Sequence, residues 1–333
     1  MHHRTISGTA ALLVLLTMLC SACGAQEKKD AATQNAGAAA GADKGWVTLA
    51  SGGRLYYEVA GGGKADTIVV PGAVYWSSAL APLAQNHTVI FYDLLGRGRS
   101  DTASAGRIAM DSIVGDLEAL RNHFHLGRMG LVGVSVGGLL TAAYAAAHPA
   151  QVARLVLINP VPPTRDIQSK YHPAERNTRV DSAAQRELMR MRESAGGGNR
   201  EALCRQFWKA SGGWFVGDRA AASRIDPTWC AVPNENLDAA LLWLGYLGST
   251  SGPWDLTSAA RSIKAQTLVV QAERDYFANP EGAKAWAAAI PGARLLTLPG
   301  VGHLALFEKP DAVNAPLKEF FDGKWPAGAA TAK

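Results

Sequence analysis

Short apolar runs recur along the chain at Val47–Leu49, Arg54–Val59, Thr67–Val70, Thr88–Tyr92, Met129–Val132 and Arg154–Ile158. Their length and β-branched content predict strands. The turn Ala50-Ser51-Gly52-Gly53 makes a hairpin of the first two. Ile113, Leu117, Leu120 and Phe124 repeat at helical spacing, and Gly138–Ala147 is rich in helix formers. Strand alternating with helix predicts an α/β fold, a mostly parallel sheet with helices on both faces. The alternation stops after Asn159-Pro160. Residues 161–255 are polar and helical in patches, without a strand signal. Strand character resumes at Gln266–Gln271 and Ala293–Leu298, and a last helix is expected over Lys309–Phe321. The pattern divides the body into a core of residues 46–160 and 256–325, with a helical insertion at 161–255 after the sixth strand.

The first 45 residues have a different character. Arg4 precedes an apolar run from Ala10 to Leu19, too short to span a bilayer as a lone helix, and small residues follow. This is the layout of a signal peptide over residues 1–22. Ser21-Ala22-Cys23-Gly24 resembles a bacterial lipoprotein box, with Cys20 where leucine is usual. The resemblance implies cleavage before Cys23 and a lipid on its sulfur. Ordinary signal cleavage just beyond would instead release a soluble protein. Residues 23–45 are Ala-, Gly- and Gln-rich and read as a flexible tether. The protein is therefore expected in the bacterial cell envelope, touching membrane only through the anchor. An oxidising compartment permits a bridge between Cys204 and Cys230, the two cysteines of the mature body. Two buried free thiols are the alternative.

Charge excludes little else. The formal net charge of +5 is spread without dense Lys/Arg clusters, which argues against a nucleic-acid partner. Gly61-Gly62-Gly63-Lys64 is no phosphate loop, because Glu58 and Ala65 stand where glycine and Ser or Thr are required. His123 and His125 flank one phenylalanine and lack further ligands, so no metal is expected. No cofactor is called for.

The chemistry concentrates at Gly133-Val134-Ser135-Val136-Gly137, between an apolar strand and a helix. A strand that turns into a helix within one residue forces its apex into strained angles and holds the serine Oγ out over the sheet. Small neighbours are needed, because a Cβ at either glycine should collide with the turn. A glycine-rich turn with a capping serine would give the same five letters, so further residues have to agree. His303, in Val301-Gly302-His303 after a strand, is a candidate base. Asp275 follows the strand Gln266–Gln271 and is the candidate acid that orients it, with Glu273 as local rival. Serine, acid, histidine is also the chain order of one hydrolase architecture.

These residues resemble the α/β-hydrolase superfamily from about Trp46 to Trp325. Asp93-Leu94-Leu95-Gly96-Arg97-Gly98-Arg99-Ser100 is similar to its Asp-x-x-Gly-x-Gly-x-Ser signature, Ala272-Glu273-Arg274-Asp275 to its acid loop, and Gly300-Val301-Gly302-His303 with Glu308-Lys309-Pro310 to its histidine loop. The resemblance implies a triad of Ser135, Asp275 and His303. It implies an oxyanion hole from the N–H of Val136 and of Ala73, with Val74 as the alternative, in the loop Pro71-Gly72-Ala73-Val74-Tyr75-Trp76. Pro71 replaces the usual histidine there. The insertion resembles the cap of capped hydrolases. Tyr75 and Trp76 at the end of the oxyanion loop, and Trp208, Trp214 and Trp243 in the insertion, are candidate substrate contacts; the insertion's tryptophans forming a small core of their own is the alternative. The implied activity is carboxylic-ester hydrolysis through an acyl-enzyme. Two alternatives stay open: a proline-iminopeptidase-like aminopeptidase using cap carboxylates such as Glu235 and Asp238, and an inactive envelope binding protein.

Overall fold

A computed structural model describes residues 43–63, 65–194 and 199–331. The signal peptide, Cys23 and most of the tether lie outside the described residues. The strands are β1 (Asp43–Thr48), β2 (Arg54–Ala60), β3 (Ala65–Pro71), β4 (His87–Tyr92), β5 (Met129–Val134), β6 (Val152–Ile158), β7 (Gln266–Ala272), β8 (Arg294–Leu298) and β9 (Ala330–Thr331). The longer helices are α1 (Met110–His123), α2 (Val136–Ala147), α3 (Ser182–Ser194), α4 (Arg200–Ser211), α5 (Leu237–Thr250), α6 (Pro280–Ala289) and α7 (Pro310–Phe321).

One nine-stranded sheet has the order β1-β2-β4-β3-β5-β6-β7-β8-β9. From β4 to β8 neighbouring strands run parallel, while β1, β2 and β9 add antiparallel edges. The sheet is therefore an α/β-hydrolase sheet, mostly parallel and flanked by helices. β4 lies on one side of β3 and β5 on the other, so the winding reverses at β3. The loops leaving β3 and β5 meet at that reversal, at the carboxyl ends where open α/β sheets bind ligands.

Side-chain alternation builds two cores from the same strands. Val69, Ile90, Leu131 and Leu155 face one layer, with Leu117 and Leu120 of α1 and Leu139 and Leu140 of α2. Ile68, Val70, Phe91, Val132 and Val156 face the other, against Leu317, Phe320 and Phe321 of α7. Each such side chain contributes about 1.5–3 kcal/mol by burial. Because both faces are covered, the central strands read as continuous apolar runs.

Two boundaries differ from the sequence expectation. β1 begins at Asp43, so the last three residues assigned to the tether are already paired with β2. The fold also runs past Trp325, because Ala330 and Thr331 pair with Leu295 and Arg294. A two-residue strand is too short to leave a pattern.

Between β6 and β7 the chain forms α3, α4, α5 and short helical turns. Side chains of Asp181, Asn199 and Asn236 accept N–H groups in the first turns of these three helices and set their starts. Cys204 on α4 and Cys230 form a disulfide, with Cα atoms 5.6 Å apart. It packs with Trp229 and Leu237 into a small core. Thr164 and Asp255 form an antiparallel bridge, and Arg165 N–H donates to Trp254 O (3.1 Å). The two ends of the segment are thereby pinched together.

Candidate active site

Ser135 sits between β5 and α2 with φ 55° and ψ −121°, a conformation that non-glycine residues seldom adopt. Its backbone is held on both sides: its N–H donates to Ile158 O (2.9 Å), and its carbonyl accepts from Gly138 (3.0 Å) and Val161 (3.1 Å). A Cβ on Gly133 would lie 2.2 Å from Thr141 Oγ1 and 2.5 Å from Gly137 O. The expected collision at Gly137 does not occur, because its nearest neighbour would be Pro71 Cγ at 3.5 Å, an ordinary contact. The second crowded position is Gly138, where a Cβ would meet Pro160 Cβ at 2.9 Å. Both glycines are buried, but the helix turns Gly137 towards Pro71 with room to spare and packs Gly138 tightly against Pro160, just past the end of β6.

The side chains of Ser135, His303 and Asp275 come together from loops far apart in the chain. His303 Nε2 lies 3.0 Å from Ser135 Oγ, and its Nδ1 lies 2.8 Å from Asp275 Oδ2. A carboxylate oxygen accepts, so Nδ1 carries the hydrogen and Nε2 keeps a lone pair towards the serine. The other oxygen, Asp275 Oδ1, accepts the N–H groups of Phe277 and Ala278, both at 2.8 Å. The Tyr171 hydroxyl donates to the Asp275 carbonyl. Asp275 and His303 are buried, while Ser135 is half-buried. Glu273 is drawn elsewhere, since its Oε2 accepts from Gly300 N–H (2.8 Å).

Gly72 has φ 89° and turns β3 into the short helix Ala73–Trp76. The N–H of Val74 donates to Asp93 Oδ1 (2.8 Å) and is used up. The N–H groups of Ala73 and Val136 have no acceptor among the described residues. Asp93 also accepts from Arg99 N–H through Oδ2 (3.0 Å). Burial pushes its carboxyl up to about 6, against the pull of those two N–H bonds and of the Arg99 guanidinium.

A buried ion pair ties this loop to the insertion. Arg97 Nε donates to Glu235 Oε1 (2.8 Å) and Nη2 to Oε2 (2.6 Å), a bidentate fork. Gly98 N–H also donates to Oε1 (2.8 Å), and the Tyr75 hydroxyl donates to Oε2. Burial works against the guanidinium charge, but Tyr75 and Glu235 more than offset it and hold Arg97 above its ordinary value. Glu235 is wholly buried. Arg97→Met should therefore destabilise the fold by about 3–5 kcal/mol, because it strands that carboxylate. Arg97→Met combined with Glu235→Leu should recover much of the loss. Urea midpoints test this; an unchanged midpoint for the single variant would show the pair to be dispensable.

The histidine loop is stitched to the insertion as well. Leu304 N–H donates to Phe215 O (2.7 Å). Glu308 Oε2 accepts from Gly302 (2.8 Å) and Gly217 (3.0 Å), and its Oε1 accepts from Asp218 (2.8 Å). The two backbones touch closely enough that a Cβ on Gly302 would lie 2.4 Å from Gly217 N.

The candidate substrate contacts separate into groups. Trp208 belongs to an aromatic series that reaches the site: its ring lies 5.2 Å from Trp229 and 4.8 Å from Phe215, and Phe277 lies 4.8 Å from Phe215 and 5.0 Å from His303. Tyr75 joins at Trp229 (5.3 Å), and Trp76 lies 5.9 Å from Phe307. Trp214 lies under the Arg176 guanidinium (4.6 Å). Trp243 is a correction. It is only 2% exposed, donates to Leu95 O (2.9 Å) and belongs to the main core, because the α5 face that carries it packs on the loop after β4. The sequence reading gave no role to Phe215, Phe277, Tyr171 or Asn159. Phe277 and Asn159 carried a signal, one lying two residues past the acid and the other ending a strand beside proline.

A model of the α/β hydrolase fold matches residues 60–310. An uncharacterized protein of Mycobacterium tuberculosis is 26% identical over 83% of this chain and 80% of its own length. A non-heme haloperoxidase of Rhodococcus erythropolis is 28% identical over 74% of this chain and 87% of its own. Among solved structures, a thermophilic esterase from Thermogutta terrifontis superposes with a TM-score of 0.60 at 23% identity, covering 85% of this chain and 98% of that one. Sheet order, the strained serine and the match over 60–310 agree that this chain belongs to the α/β-hydrolase fold family.

Proposed function

We propose that the protein cleaves a carboxylic ester through an acyl-enzyme on Ser135. The observation that carries this reading is the unbroken hydrogen-bond chain from Ser135 Oγ through His303 to Asp275. Ser135 Oγ attacks the ester carbonyl carbon while its proton passes to His303 Nε2. The N–H groups of Val136 and Ala73 receive the oxyanion. Ala73 is preferred to Val74 because Asp93 already engages the latter. The tetrahedral species collapses, and the alcohol leaves with the proton from Nε2. Water then attacks the acyl carbon, His303 takes its proton, and the acid and free serine are regenerated.

Residues 161–255 act in this reading as a cap. The rings of Trp208, Trp229, Phe215 and Phe277, in series up to His303, suit an apolar or aromatic group on the substrate. The aminopeptidase reading loses its cap carboxylates. Glu235 is neutralised by Arg97, and Asp238 is exposed beside Arg192 (3.2 Å). A p-nitrophenyl ester series of varied chain length, run beside aminoacyl-p-nitroanilides, tests the choice. Ester turnover without anilide turnover is expected. The reverse pattern would establish the peptidase, and no turnover of either would favour the binding-protein alternative.

The protein is further proposed to be an envelope lipoprotein, anchored at Cys23. The lipoprotein box and the Cys204–Cys230 bridge support this, since disulfides persist in oxidising compartments. The full chain should fractionate with membranes, and Cys23→Ala should move it to the soluble fraction. Equal distribution of the two would refute the anchor.

A further inference from the structure

The end of β6 supplies no member of the candidate triad, yet it touches the backbone around all three. Ile158 O accepts the Ser135 N–H (2.9 Å), and Val161 N–H returns a bond to Ser135 O (3.1 Å). Between them, Asn159 is fully buried and sits at φ 44°. Its own N–H donates to Val270 O (2.8 Å) on the acid strand. Its Oδ1 accepts from Ala272 N–H (2.7 Å), at the end of that strand and three residues before Asp275. Its Nδ2 donates to the carbonyl of His303 itself (2.8 Å) and lies 3.5 Å from Gly302 O. One amide side chain therefore spans the acid strand and the histidine, on a segment that also grips the serine backbone.

From this we infer that Asn159 is a positioning residue for the acyl transfer, setting where the imidazole stands between Ser135 and Asp275. The inference rests on the serine-hydrolase reading above. Asparagine suits the place on two counts. It tolerates positive φ better than most residues, and it offers a donor and an acceptor on one rigid plane. A buried carbonyl and a buried N–H that face each other across a loop junction need such a partner. Among the described hydrogen bonds, no other side chain donates to the carbonyls of Gly302 and His303 or accepts the N–H of Ala272. Asn159 touches no atom of the reacting serine hydroxyl, so its effect must pass through the placement of His303.

Two variants test this by burst kinetics with a p-nitrophenyl ester. Asn159→Gly keeps the left-handed backbone and removes both side-chain bonds. Asn159→Asp keeps the shape and the acceptor for Ala272, but turns a carboxylate oxygen towards the His303 carbonyl. For the glycine variant the acylation rate constant should fall on the order of 100-fold, while Ks for the ester stays within about twofold, because misplacement by a fraction of an ångström acts on the reaction and not on binding. For the aspartate variant the deficit should grow as pH rises, because the protonated carboxyl can still donate to His303 O and the ionised one cannot. A purely structural role would lower the melting temperature and move neither the Ks split nor the pH-dependent deficit. If the glycine variant does not fold, the near-isosteric aspartate variant carries the test. A wild-type burst with unchanged acylation in the folded Asn159 variants would overturn the inference. Absence of both ester turnover and fluorophosphonate labelling in wild type would instead sink the serine-hydrolase reading.

Discussion

Replacing Ser135 by alanine should lower kcat on the order of 10⁶-fold on the best ester and abolish labelling by a fluorophosphonate probe, as loss of the nucleophile does in triad hydrolases. The expectation follows from what alanine leaves behind. His303 remains seated on Asp275, and the Ala73 and Val136 amides keep their places, but no Oγ stands 3.0 Å from Nε2 to be deprotonated. The residual rate then measures substrate placement and oxyanion stabilisation alone. Stability should change little. The serine backbone keeps its bonds to Ile158, Gly138 and Val161, and among the described residues the side chain's hydrogen-bond partner is His303. Equal melting temperatures beside lost labelling would tie the defect to chemistry. Turnover that survives the substitution would remove Ser135 from the mechanism.

Asp275→Asn should cost about 10⁴-fold in kcat, as an amide in this position does elsewhere. The orientation of the amide is forced by its neighbours. Oδ1 accepts two N–H groups, from Phe277 and Ala278, so the amide oxygen must stay on that side. The amide NH2 then faces His303 Nδ1, where a carboxylate oxygen stood at 2.8 Å. Two donors cannot face each other, so Nδ1 loses its hydrogen and Nε2 gains one. The imidazole is left intact and in place, but in the tautomer that cannot take a proton from serine. Single-turnover acylation should show the loss, with ester binding unchanged. A drop of less than about tenfold would mean that Asp275 is not what orients His303.

Much of this site was readable before any geometry. Apolar runs reported strands wherever both faces are covered, as at Val69 and Val70, whose side chains enter different cores. The turn at Ser135 is local, and its glycine-rich letters report it. Other features depend on contacts across great lengths of chain. Ser135 and His303 stand 168 residues apart, and motif order alone hinted that they meet. Gly137 and Gly138 are neighbours in sequence, and only the helix direction decides which one is crowded. Trp208 and Trp243 look alike as letters, but one joins the aromatic series and the other enters the core. Arg97 with Glu235, and Asn159 with His303, were invisible because a buried polar pair leaves no periodic trace.

The Thr164–Asp255 bridge brings the two ends of the insertion side by side, as if it were a cassette that could be exchanged at will. The interlocked glycines say otherwise. Residues 215–218 are clasped to the loop that bears the imidazole, through Gly217 against Gly302 and the shared carboxylate of Glu308. A chimera that swapped the segment for another protein's would need to carry this stretch along. Otherwise it would gain a new segment and lose the clasp on the loop that carries His303.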